Sequence, residues 1–185
     1  MIRNLLLLIG CLLFSATLIG QNSGEDDFYN TDVIRQIKIN IKQQNWRSLL
    51  DSLRKHGDEY LVGTANIDGQ TYSNIGIKYR GSRSFKIGAK RNPLHLKLNF
   101  INKNQRHQGY KSIKLSNSLR DPSMVREVLG FEIARKYMPA PKANYAQVYI
   151  NEEYYGLFAN IEQIGGEFLT NHFGDKDGSF FQCSP

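Results

Sequence analysis

The run Leu94-His95-Leu96-Lys97-Leu98-Asn99-Phe100 alternates apolar and polar residues without a break. Successive side chains of a β-strand point to opposite faces, so this pattern makes one buried side and one wet side. Leu94, Leu96, Leu98 and Phe100 share the first. His95, Lys97 and Asn99 share the second, which makes Lys97 either a solvent-facing lysine or a cation aimed into a cleft. The stretch from Ile37 to Ile41 alternates the same way. Two further pairs of strand-like runs flank turn residues. Leu61–Ile67 and Thr71–Tyr79 surround Asp68-Gly69-Gln70, and Tyr145–Ile150 and Tyr154–Ile161 surround Asn151-Glu152-Glu153. Asp-Gly accepts the positive φ of a tight hairpin turn.

Helical spacing is confined to a few places. Trp46, Leu49, Leu50 and Leu53 fall at i, i+3, i+4 and i+7, with Arg47, Asp51 and Arg54 on the wet side. Asp121-Pro122-Ser123-Met124 predicts a helix start, with Asp121 as N-cap and Pro122 in the first turn; Pro139 and Pro141 end it. A shorter helix is expected after Gly165-Gly166, and a last strand over Gly178 to Cys183. The fold class these elements predict is α+β, mainly antiparallel sheet with two to three helices.

The N-terminus differs in kind. Arg3 precedes the apolar run Leu5–Ile19, which ends at Gly20 before polar Gln21-Asn22-Ser23. A cationic start, a short apolar run and a small residue predict a signal peptide over 1–20 and a secreted or cell-envelope protein. The run is shorter than the ~20 residues of a membrane span, so none is expected in the mature chain. Leu8-Ile9-Gly10-Cys11 is the alternative, a lipoprotein box placed early in the run. Residues 21–31 read as a disordered lead-in and 32–185 as one domain. Removing Cys11 leaves Cys183 alone, so no internal disulfide is expected.

The chain carries a net charge of +7, with Lys and Arg dispersed rather than gathered into an arm, which argues against nucleic acid as a partner. The four histidines lack zinc spacing, and Asp175-Lys176-Asp177-Gly178 lacks the first and last ligands of a calcium loop. Neither a Gly-x-Ser-x-Gly elbow nor a Gly-Lys-Ser/Thr phosphate loop occurs. The stretch that stands out is Tyr79-Arg80-Gly81-Ser82-Arg83-Ser84-Phe85, a cationic loop between strands, followed by the basic cluster from Lys86 to Arg91. It is either an ordinary basic hairpin or a cradle presenting N–H groups and guanidinium forks to phosphate.

Several segments, in this order, resemble the CotH (spore coat protein H) kinase-like family. They are Ile77-Lys78-Tyr79-Arg80-Gly81-Ser82, Asp121-Pro122-Ser123-Met124-Val125-Arg126-Glu127, Ala140-Pro141-Lys142-Ala143, and Val148 through Leu157 with Ile161-Glu162-Gln163. The resemblance covers about residues 28–183. It implies the N-terminal part of an atypical protein kinase fold, one that uses ATP and a divalent cation, Mg or Mn, to phosphorylate secreted or coat proteins. On that mapping Arg80, Gly81 and Ser82 lie near the nucleotide phosphates. Lys90 or Arg91 supplies the phosphate-pairing cation, with Lys97 as a second candidate, and Glu127 positions it. Glu162, with Gln163, forms the connection beside the adenine. The family's catalytic and metal-binding aspartates sit in stretches resembling Asn-x-Asp-Gly and Pro-Trp-Asp, which this sequence lacks; no catalytic residue is therefore assigned to it. Family members also commonly carry an Asp where this chain has Gly165-Gly166. The alternative function is a non-catalytic secreted or envelope scaffold, suggested by the tyrosines Tyr145, Tyr149, Tyr154 and Tyr155; a basic surface binder of polyanions is a third.

Overall fold

The structure is a computed structural model and describes residues 27–177 and 181. The expected signal peptide and, Phe181 apart, the expected strand over 178–183 lie outside the described residues.

Seven strands form the body: β1 (Ile34–Asn40), β2 (Leu61–Ile67), β3 (Gln70–Tyr79), β4 (Leu94–Lys97), β5 (Ser112–Ser116), β6 (Ala143–Ile150) and β7 (Glu153–Ile161). Among the described residues three short helices accompany them: α1 (Trp46–His56), α2 (Val125–Ala134) and α3 (Gly166–Phe173). The strands close into a barrel in the order β1-β2-β3-β4-β5-β7-β6. This corrects the expectation of an α+β, kinase-like fold. The cause lies in one pairing. β1 joins β2 antiparallel on one side and β6 parallel on the other, from Ile34 opposite Tyr145 to Ile39 opposite Ile150. That contact turns a sheet of hairpins into a closed wall, and no named strand keeps an open edge.

Alternation then decides what fills the barrel. Ile37, Ile39, Ile77, Leu94, Leu96, Ile113, Leu115, Val148 and Phe158 point inward and are all buried. At about 25 cal/mol per Å2, each large side chain stabilises the fold by roughly 2 kcal/mol. α1 and the loop 81–93 cover one end, where Trp46 and Leu50 join the core. The other end is closed by the last residues of the expected lead-in. Phe28 and Tyr29 are buried there, and Arg35 Nε donates to Phe28 O at 2.9 Å. α2 lies outside the barrel, with Val128 against Ala143, Ala159 and Ile161.

The helix expected to begin at Asp121 starts at Val125 instead. Met124 takes a left-handed conformation, φ 58°, so residues 121–124 form a turn. Asp121 still caps from there: its Oδ2 accepts from Arg126 N at 2.8 Å, one of the donors that the first turn leaves free. Among the described residues no helix is long and apolar enough to cross a membrane.

Candidate functional site

The outer faces of β3, β4 and β5 carry cations in register. Lys78 sits opposite His95, and His95 opposite Lys114. One row along, Gly76, Lys97 and Ser112 line up. In the other direction Arg80 follows β3, its N–H bonded to Pro93 O at 3.0 Å. Like charges on neighbouring strands repel, so the arrangement costs stability unless something neutralises it. Lys78 has such a partner in Asp58 and lies 4.6 Å from the Tyr60 ring centroid. Lys111 pairs with Glu167 at 2.6 Å. Arg80, Lys97 and Lys114 have no carboxylate in ion-pair range among the described residues.

The pKa directions agree. Burial, then the Arg80 charge, push the Lys114 ammonium below its ordinary value. Burial also lowers Arg80, against the opposing pull of Glu127. Glu127 comes from the first turn of α2 and accepts from Ser118 Oγ at 3.1 Å. His95 falls to about 3, through burial first and then Lys78, Lys114 and Arg80; the smallest influence, from Gln163, pulls the other way. Its Nδ1 lies 3.1 Å from the Tyr60 hydroxyl, and its Nε2 is buried with no partner at hydrogen-bonding geometry. A cleft of about 300 Å3 opens along this face, lined by Tyr60, His95, Lys97, Ser112, Gln163 and Glu167 among others.

A pH prediction follows from His95. Its folded pKa lies below the ordinary 6.5, so as pH falls through 6.5 the unfolded chain takes up a proton that the folded one refuses. Stability therefore drops from pH 6.5 toward pH 3 and levels off below. Between pH 7 and pH 5 this group is expected to remove about 2 kcal/mol. Urea unfolding of His95→Gln at those two pH values checks it: the variant should lose that much less, and an unchanged pH dependence would refute the assignment.

The residues singled out in the sequence divide into two groups. Arg80, Lys97 and Glu127 come together on or over this face. Gly81, Ser82, Lys90, Arg91 and the Glu162 side chain do not. Gly81 holds φ +85°, and a Cβ there would run into Ser84 Oγ. The loop it opens is tied down rather than free: Gly81 O accepts from Arg54 Nη2 at 3.0 Å, and Ser84 O and Arg91 O accept from Asn117 Nδ2 at 3.2 and 3.1 Å. Ser82 is exposed on it. Arg91 turns inward and donates to Leu157 O and Asn117 O at 3.2 and 2.9 Å, its guanidinium 5.6 Å from the Phe158 ring centroid. Lys90 lines a different cavity, at the barrel end. Glu162 is buried and accepts from Lys142 N at 3.0 Å, while its own N–H donates to Lys142 O at 2.8 Å. It stitches β7 to the entry of β6, and the neighbouring Gln163 reaches the face, accepting from Ser112 Oγ. Sequence reasoning missed His95 and Lys114 as members of the site, and named Gln163 only beside Glu162 in the connection next to the adenine. The alternation Ser112-Ile113-Lys114-Leu115 is a signal that could have set Lys114 outward, but its nearness to His95 rests on the β4–β5 pairing.

The face suits a polyphosphate: three unpaired, partly buried cations around a buried histidine held neutral. A metal does not fit in the same way. Among the described residues no group of three or more His, Cys, Asp or Glu side chains is placed to hold one. In comparisons with known proteins, the family model described as "CotH kinase protein" matches residues 77–185, a span that holds nearly all of this face. No curated protein matches the chain.

Proposed function

Because the chain belongs to the CotH kinase protein family, we propose that the outer barrel face is the nucleotide side of a kinase-like site in a secreted or envelope protein. The observation that carries the reading is the unpaired, half-buried trio Arg80, Lys97 and Lys114. The Arg80 fork takes two oxygens of one phosphate, and Lys114 acts beside it as a point charge. Glu127 sits where it favours the charged form of Arg80 and keeps it oriented between strand and helix. His95, its Nδ1 beside the Tyr60 hydroxyl, stays neutral among these cations and adds no further positive charge. Lys97 and Gln163 border the end of the cleft beside the β7–α3 connection, where the base and sugar lie. ATP, when bound, supplies the phosphoryl group for transfer to a protein substrate; no step is assigned to a metal held by these residues.

Calorimetric titration of ATP into the full chain tests this, with and without Mg or Mn. Saturable binding is expected, weakened at least tenfold in Arg80→Gln, since a charged hydrogen bond contributes about 1.5–3 kcal/mol. Absence of binding with either metal and without one would overturn the nucleotide reading.

A second reading, a non-catalytic scaffold, is favoured by one observation. Val125, Leu129 and Ile133 form an exposed apolar stripe on α2, opposite the side that packs on the barrel. A helix apolar on both sides is normally covered. The same titration separates the two readings.

A further inference from the structure

The barrel end covered by α1 holds a second cavity, of about 450 Å3, which shares no lining residue with the cleft on the outer face. Its walls are built in advance. Arg47 lies with its guanidinium 4.4 Å from the Trp46 ring centroid and 5.3 Å from that of Tyr155, and its Nη1 donates to Lys90 O at 3.1 Å. Stacking fixes the plane of the fork and leaves its remaining N–H groups for an incoming acceptor. Lys90 is exposed beside it, and neither cation has a carboxylate in ion-pair range among the described residues. Among the described residues Asp51 is the one acid in the lining. Its Oδ2 is taken by Gly88 N at 3.0 Å, and its Oδ1 is buried without a partner. The loop is further held by Lys86 N donating to Asn92 Oδ1 at 3.0 Å and by Asn92 N donating to the Tyr155 hydroxyl at 2.8 Å. Tyr154, 58% exposed, stands on the rim and packs edge-on against Tyr149 with centroids 5.4 Å apart.

We infer that this cavity docks a peptide segment bearing an oxyanion, the carboxylate of an acidic residue or the phosphate of a phosphorylated one. Arg47 and Lys90 take the oxyanion. The exposed ring of Tyr154 carries the chain out of the cavity toward Tyr149, contacts that a free ion has no atoms to make. A rigid, preformed wall lowers the ordering cost that a short peptide must overcome.

Fluorescence anisotropy on the full chain tests the inference, using a labelled ten-residue Gly-Ala-Tyr host peptide with glutamate, phosphoserine or serine at its centre. The glutamate or the phosphoserine peptide is expected to bind about tenfold more tightly than the serine peptide. Stronger binding of phosphoserine, with displacement by inorganic phosphate, identifies phosphate as the natural anion, and the opposite order identifies carboxylate. Lys90→Ala and Arg47→Lys should each weaken binding, whereas Arg80→Gln and added ATP should not. Lys90→Ala guards against a folding artefact, because the Lys90 link to Arg47 runs through its backbone carbonyl, which the change leaves in place. Equal binding of the three peptides, or no binding, overturns the inference. So does binding that ATP displaces and Arg80→Gln abolishes, which would place the peptide on the outer face.

Discussion

Gly156→Ala is expected to destabilise the barrel by roughly 4 kcal/mol, through overpacking and backbone strain of about 1–3 kcal/mol each. Gly156 holds φ +147°, a conformation that L side chains rarely adopt, and an added Cβ would lie 2.7 Å from Arg91 Cδ. Arg91 has little freedom to retreat, because its guanidinium is bonded to Leu157 O and Asn117 O. Total stabilities of about 5–15 kcal/mol leave little margin for such a loss. Chemical unfolding of Gly156→Ala, Arg91→Ala and the double variant separates the two causes. The double variant should be less destabilised than the sum of the singles, since the clash needs both partners. Strict additivity would show that the contact with Arg91 contributes nothing.

The second large effect has opposite signs in two measurements. Lys114→Met should weaken ATP binding by tenfold to about a hundredfold, the loss of one charged hydrogen bond. The same change should raise the stability of the unliganded protein. Lys114 is held below its ordinary pKa of 10.5 by burial and by Arg80. The folded state therefore binds fewer protons than the unfolded one as pH approaches 10.5, and stability rises with pH across that window. The penalty is greatest on the acid side of that window. The variant should melt higher than wild type at pH 7, with the gap narrowing toward pH 10.5. A variant that melts lower at pH 7 and still binds ATP would refute both the repulsion and the site.

Much of the wall could be read from the sequence because its causes are local. Asp68-Gly69 and Asn151-Glu152 mark the turns of two hairpins, and β2, β3, β6 and β7 follow from the alternation on either side. Trp46, Leu49, Leu50 and Leu53 give α1. The closure could not be read, because nothing in Ile34–Asn40 names Ala143–Ile150 as its parallel neighbour, and alternation looks the same in an open sheet and in a barrel. The site divided along the same line. The outward aim of Lys97 follows from strict period two. The inward turn of Arg91 does not, because it depends on carbonyls far along the chain. Glu162 and Gln163 show how fine the distinction is: one position decides which of them meets the cleft.

Asn151 reaches over the β1–β6 seam, its Oδ1 accepting from Ile41 N at 2.8 Å and its Nδ2 donating to Ile41 O at 3.0 Å. The side chain of the β6–β7 turn thus imitates a strand partner for the residue just past β1, at a separation of 110 positions. Synthesis makes that distance a delay. At about 5–20 residues per second, β1 leaves the ribosome roughly 5–20 s before β6 exists to pair with it. The β2–β3 hairpin can shield one side of the nascent strand in that interval, and the other side waits bare. The final latch of this protein is therefore set late, which makes the first strand the segment most in need of a holding chaperone.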